Sequence, residues 1–181
     1  MIRKIKNNEL NRLTTDEFKL VEKIPFILIL EDIRSLNNVG SLFRTADSFL
    51  LNRLILTGIT GTPPNREIHK AALGAELSME WEYHSNIVEI ISKLKDNNYQ
   101  IWALEQAEGS VSLENFKINN NSNIALILGN EVEGVSEKAL ENCDGVIEIP
   151  QFGTKHSLNV SVSAGIAIWH IAMQMHKKTQ E

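Results

Sequence analysis

Apolar residues in this chain follow two alternating rhythms. Short runs with the length of buried strands lie at Pro25–Leu30 (PFILIL), Arg53–Thr57 (RLILT), Tyr99–Leu104, Ser122–Leu128 and Val146–Ile149, and a further strand is expected over Ser78–Tyr83. Between them the spacing turns helical. Val39, Leu42, Phe43, Ala46, Phe49 and Leu50 mark a helix over Val39–Leu51, and similar patterns predict helices over Asn8–Val21, Ile68–Leu73 and Ile87–Lys95. Ser136 is placed to cap a helix through Asn142. Gly58–Asn65, with two glycines and Pro63–Pro64, reads as a loop, and the Asn-rich Asn119–Asn123 as a surface turn. The alternation predicts an α/β fold, a mostly parallel sheet with helices on both faces. Without repeats or a linker, residues 1–181 are expected to form one domain with a short N-terminal helix within about the first 24 residues.

The last helix, expected to end near His176, has two apolar sides. Val160, Ala164, Ile168 and Ala172 line one; Val162, Ile166, Trp169 and Met173 line another. A sheet covers only one such face, so the second predicts either burial inside the domain or, preferred here, a homodimer through this helix.

Composition changes the picture little. The 181 residues are 43% hydrophobic and 23% charged, the balance of a globular chain. No apolar run reaches the roughly 18–20 residues of a membrane span. No signal peptide is apparent, and Cys143 is the one cysteine, so a cytoplasmic setting without disulfide or cysteine–zinc site is expected. Charge matters by its distribution. The net −5 argues against a phosphate-rich partner, yet Arg34–Lys70 carries Arg34, Arg44, Arg53, Arg66 and Lys70 against only Asp47 and Glu67. By contrast, Leu104–Glu148 sets nine acids against Lys117 and Lys138. Scattered solvated charges account for these counts equally well.

Familiar cofactor signatures are absent. No GxGxxG follows a strand, Gly129–Gly134 lacks the Lys-Ser/Thr of a phosphate loop, and the five histidines have no metal-ligand spacing, so no metal is expected. Three polar clusters remain, each following a strand, at the edge where open α/β sheets bind ligands. The first is RSLNNVGSLFRTAD (Arg34–Asp47), in which Asn38 is a candidate helix cap and Arg44, six residues on, is expected near its side of the helix; an Arg44–Asp47 pair is the structural alternative. The second is LGNEVEGVS (Leu128–Ser136), in which Gly129 is expected to admit a ligand close to the backbone and Glu131 is the carboxylate nearest the strand end. The third is IPQFGTKHSLNVSVSAG (Ile149–Gly165), whose small polar residues read either as a helix start or as a binding loop.

In that order, these clusters resemble the three motifs of the SpoU (TrmH-like) RNA ribose 2′-O-methyltransferases of the SPOUT superfamily. The resemblance spans roughly Pro25–His176: Asn-x5-Arg-Thr-Ala-Asp, Gly-Asn-Glu-x-x-Gly, and Ile-Pro followed by Ser-Leu-Asn-Val-Ser. Gln151 departs from it, standing where the family usually has Met. The resemblance implies a C-terminal deep trefoil knot, a homodimer through the last helix, and S-adenosyl-L-methionine (AdoMet) as methyl donor. By position, Leu104, Gly129, Ile149, Ser157 and Leu158 would line the cofactor site. Arg44 would activate a ribose 2′-OH, with Asn38, Glu131, Ser157 and Asn159 orienting it, the ribose and the cofactor loop. An arginine, which keeps its charge in proteins, suits a stabilising cation better than a base. The stretch Gly58–Glu76 resembles the branch acting on tRNA guanosine, so tRNA is expected ahead of rRNA. With about 24 residues before the first strand, RNA would be gripped mainly by the catalytic face and the partner copy, in a salt-dependent way. The alternatives are a ribosomal RNA 2′-O-methyltransferase, a non-catalytic RNA-binding knot protein, and an unrelated nucleotide-binding domain.

Overall fold

The computed structural model describes residues 2–6, 9–119 and 122–178. The chain runs α1 (Thr15–Leu20), β1 (Ile24–Glu31), α2 (Leu36–Ser48), β2 (Leu51–Thr57), α3 (Arg66–Ala72), α4 (Ala75–Ser78), β3 (Trp81–His84), α5 (Ile87–Asp96), β4 (Tyr99–Leu104), β5 (Val111–Ser112), β6 (Asn123–Leu128), α6 (Glu137–Asn142), β7 (Gly145–Glu148) and α7 (Val160–Lys178). The seven strands form one sheet, ordered β3-β2-β1-β6-β4-β7-β5, in which every pairing is parallel. All strands therefore end on one edge. The chain steps outward from β1 to β3, then crosses to β4 on the other side of β1, so the order reverses beside β1.

The pleat assigns the strand residues to two cores. Phe26, Leu28, Leu30, Leu54, Leu56, Ile124 and Leu126 face one side with Val39, Leu42 and Phe43 of α2 and Ala164, Ile168 and Ala172 of α7. Ile27, Ile29, Ile55, Ala125 and Ile127 face the other with Ile90, Ile91 and Leu94 of α5 and Ala139 of α6. Burial on both faces explains why β1 reads as an unbroken apolar run. Each of its large side chains contributes roughly 1.5–3 kcal/mol by leaving water.

Helices α2 and α7 lie side by side, starting and ending together. Asn159 Nδ2 donates to Asn38 Oδ1 (3.3 Å) at one end, and His176 Nε2 lies 3.3 Å from the Phe49 carbonyl at the other. On its opposite flank α2 meets α3 closely at Gly40, where a Cβ would stand 2.5 Å from the Ile68 carbonyl oxygen and 2.7 Å from Ala71 Cβ. Gly40→Ala is expected to lower the unfolding free energy by about 1–3 kcal/mol, read by urea titration.

Several expectations need correction. The N-terminal helix covers only Thr15–Leu20, because Asn11 takes a positive φ of 45° and Thr14 forms a capping box with Glu17. Asn8, where that helix was expected to begin, and Asn120–Asn121 of the Asn-rich turn lie outside the described residues. The strand expected over Ser78–Tyr83 is Trp81–His84; Ser78 instead ends α4, its Oγ donating to the Ala75 carbonyl and to Asp47 Oδ2. The two-residue β5 was missed, since two residues carry no periodicity.

Candidate active site

The loops leaving β4, β6 and β7 enclose a cavity of about 510 Å3 at the C-terminal edge of the sheet. That size is typical of a small-molecule site. Leu104, Gly129, Ile149, Ser157 and Leu158 all line it, with Glu131 and Asn159. Residues separated by more than fifty positions in sequence thus share one wall because parallel strands deliver their ends to one edge.

Glu131 fastens this wall to α2. Its Oε2 accepts from Arg34 N (3.1 Å); its Oε1 accepts from Ser35 N (3.2 Å) and Asn38 Nδ2 (3.0 Å). Asn38 in turn receives Asn159 Nδ2 on its own carbonyl, so one polar relay, Glu131–Asn38–Asn159, ties the three clusters together. Asn159 also starts α7, its Oδ1 accepting from Ser161 N (2.9 Å) and Ser161 Oγ (2.6 Å). Capping and joining are both done by this one side chain. Asn38 does not cap α2. Ser35 does, its hydroxyl accepting from Asn38 N at 3.3 Å, which frees the Asn38 amide for Glu131.

Burial pushes the Glu131 carboxyl up, but the hydrogen bonds from Asn38, Arg34 and Ser35 outweigh it and hold the group below its usual range. A lowered folded-state pKa gives stability that is complete above the unfolded value and lost as pH falls through the folded one. The stability gap between wild type and Glu131→Gln is therefore expected to be full at about pH 6 and to shrink by about pH 3, in urea titrations at both values. Glu131 is exposed, so the gap stays below about 1 kcal/mol.

Gly129 serves its own loop. A Cβ there would fall 2.1 Å from Gly134 C and Val135 N, where Asn130 and Gly134 exchange two backbone hydrogen bonds of 2.9 Å. The same glycine also lies in the cavity wall, so the close passage of backbone past backbone and the lining of the cavity fall on one residue. Three further residues shape the wall without having been singled out. Glu105 Oε2 accepts from Val135 N (3.0 Å), Gln106 Nε2 donates to the His156 carbonyl (3.0 Å), and Asn130 Nδ2 donates to the Asp32 carbonyl (2.9 Å). The signal for Glu105 and Gln106 was their place directly after β4.

Arg44 is elsewhere. Six residues at 100° each turn it about 120° away from Asn38 on the helix. Its side chain is exposed and lines a second hollow with Arg12, Asp47 and residues of α4, not the first cavity. Among the described residues its guanidinium has no hydrogen bond or ion pair. The alternative Arg44–Asp47 pair is not formed; Asp47 accepts from Ser78 Oγ at 2.8 Å. The basic excess also thins: Arg53 pairs with Glu82 (3.3 Å) and Lys70 with Glu67 (2.8 Å), while Arg34, Arg44 and Arg66 make no ion pair among the described residues.

The cavity lining holds three carboxylates (Glu105, Glu131, Glu133) and no lysine or arginine, so it suits a cationic ligand. Among the described residues no three His, Cys, Asp or Glu side chains gather as a metal site, and no helix is long and apolar enough to cross a membrane. Burial, and then Asp144 beside it, push the Cys143 thiol up to about 11, far from a reactive thiolate.

The sequence profile of the SpoU rRNA methylase family matches residues 25–169, from the second residue of β1 into α7. The chain belongs to this SpoU family. It is 35% identical over 176 residues to an uncharacterized tRNA/rRNA methyltransferase of Borreliella burgdorferi, covering 94% of this chain and 76% of that relative. It is 30% identical to the 23S rRNA (guanosine-2′-O-)-methyltransferase RlmB of Neisseria meningitidis serogroup B, covering 92% of this chain and 65% of the relative. The fold is shared with the A. aeolicus TrmH/SpoU tRNA modifying enzyme (TM-score 0.81, 24% identity, 91% of this chain and 84% of that one). It is also shared with an AdoMet-bound rRNA methyltransferase of Sinorhizobium meliloti (TM-score 0.79, 24% identity, 87% of this chain and 60% of that one). The Glu131–Asn38–Asn159 relay, the residues lining the cavity and the capped start of α7 all lie within the matched residues 25–169.

Proposed function

We propose that this SpoU-family chain is an AdoMet-dependent RNA methyltransferase that methylates a ribose 2′-OH, with tRNA as its preferred substrate. The observation that carries the reading is the relay Glu131–Asn38–Asn159 beside a cavity lined by Leu104, Gly129, Ile149, Ser157 and Leu158. AdoMet fits that cavity by charge. Its sulfonium is a cation, and the lining carries carboxylates without a competing cation. Bound there, AdoMet would supply an activated methyl group to the ribose oxygen, with S-adenosylhomocysteine as the leaving group and the 2′-OH proton released to water. The protein's share is alignment and stabilisation of developing negative charge. In this reading Leu104, Ile149 and Leu158 pack the cofactor and Ser157 fixes the loop. Asn38, Glu131 and Asn159 hold the ribose-facing edge in register. The C-terminal trefoil knot belongs to the same proposal, with residues 149–159 as its threaded part.

Arg44 is assigned as the cation that stabilises the developing alkoxide and a neighbouring phosphate. It does not reach its own chain's cavity, so it would act at that of a second copy. Asn37, Arg44 and Ser48 form an exposed polar stripe on α2, while Val162, Ile166 and Trp169 are exposed on α7 alongside. A homodimer through α7 would cover the apolar stripe and carry Arg44 across.

A ribosomal RNA substrate is the second reading, favoured by the 30% identity to the Neisseria RlmB. Incubation with labelled AdoMet and separated tRNA or ribosomal RNA, followed by mapping of alkali-resistant phosphodiesters, decides between them. Label in tRNA at a 2′-O-methylated nucleotide is expected; label on a base, or none in either RNA, overturns the proposal. AdoMet binding without transfer would mark a non-catalytic RNA-binding protein.

A further inference from the structure

The segment between β7 and α7 is fastened on both sides of an unused aromatic residue. Gln151 and His156 line the cavity, Gln106 Nε2 holds the His156 carbonyl, and Asn159 is bonded to Asn38. Between these anchors Phe152 is 97% exposed. It takes no part in the wall of the cavity, and neither core includes it. A full-sized apolar ring held out beside a binding cavity by an anchored segment is placed to touch a partner that binds there.

The local charge indicates what that partner presents. Glu105, Glu131 and Glu133 line the cavity with no lysine or arginine among them, so phosphate groups are repelled from this mouth. What an RNA strand can offer there is the neutral face of a base. Unstacked bases are gripped by aromatic side chains, with cations at the flanking phosphates. Exposed cations stand on two neighbouring loops: Lys155 three residues beyond Phe152, and Arg34, whose backbone N–H donates to Glu131. Neither has a carboxylate partner among the described residues.

We propose that Phe152 is a stacking platform for a nucleobase next to the methylated ribose, positioning the RNA strand over the cavity, with Lys155 and Arg34 at the phosphates on either side. The proposal rests on the RNA methyltransferase reading. It adds to that reading a residue that sets how the strand is held.

The test uses the full chain with Phe152→Ala, Phe152→Leu and Phe152→Trp. It measures the KM for bulk tRNA and for ribosomal RNA, kcat, AdoMet affinity by calorimetry, and sedimentation. Loss of one stacked base predicts a rise in RNA KM of about 10-fold for Phe152→Ala. Phe152→Leu, apolar but not aromatic, should behave like Phe152→Ala, with kcat and AdoMet affinity unchanged. Phe152→Trp should restore KM, and its added indole emission should be quenched by oligoadenylate. An unchanged RNA KM in Phe152→Ala, or rescue by leucine, overturns the stacking role. So does loss of AdoMet binding, which would place Phe152 in the cofactor site, or a change in sedimentation, which would place it against a second copy. Wild-type protein that methylates no RNA removes the underlying reading instead.

Discussion

Replacing Arg44 by alanine is expected to cut methyl transfer about 10²–10³-fold while leaving AdoMet affinity unchanged, since one preorganised donor to developing oxyanion charge is worth about that much. The second half follows from the position of Arg44, outside the cavity that holds Leu104, Gly129 and Ser157. Folding should be unaffected, because the side chain is exposed and has no ion pair among the described residues. Single-turnover transfer, AdoMet calorimetry and thermal denaturation on one preparation separate the three effects. Arg44→Lys keeps the charge but loses the planar fork, so partial activity is expected. The pH–rate profile distinguishes cation from base. A limb present in wild type and absent from both variants would make Arg44 a proton acceptor and overturn its assignment as a cation.

Arg44 also marks where sequence stops being legible. Apolar spacing located α2 because burial of Val39, Leu42, Phe43 and Ala46 against the sheet imposes it. The same spacing has nothing to say about where an exposed arginine points relative to Asn38. That is fixed by helical phase, and six residues end about 120° apart. Glu131 was legible as a carboxylate near a strand end. Its bonds to Arg34 N, 97 positions away, and to Ser35 N were not, because they depend on β6 lying beside β1. Glu105 was missed for the same reason: its partner Val135 comes from another loop. Strand order is long-range information, and local pattern carries none of it. Local chemistry did determine the ends of elements. Ser136 caps α6 as its position indicates, and its hydroxyl also donates to the buried Glu31 at 2.6 Å.

The second large effect concerns α7. Its inward face, Ala164, Ile168 and Ala172, is fully buried, whereas Trp169 is 56% exposed, with Val162 and Ile166 exposed beside it. The helix is therefore not enclosed within one chain, and three aligned apolar side chains one and two turns apart form a face that a second copy can cover isologously. If the proposed homodimer forms, Trp169→Glu is expected to convert it to monomers in sedimentation, because a charge buried at a two-fold contact meets its own copy. If Arg44 serves the partner's cavity, the monomer loses methyl transfer with it, while the cavity itself still binds AdoMet. Subunit mixing gives the sharper result. Arg44→Ala and an Asn159→Ala variant, each weakly active alone, should regain about one quarter of wild-type activity when mixed in equal amounts and re-equilibrated, because half the dimers then carry one intact site of two. A mixture no more active than its components would show that Arg44 and the Glu131–Asn38–Asn159 relay work in the same chain. The hollow beside Arg12 would then need to open toward the cavity by a movement of α2.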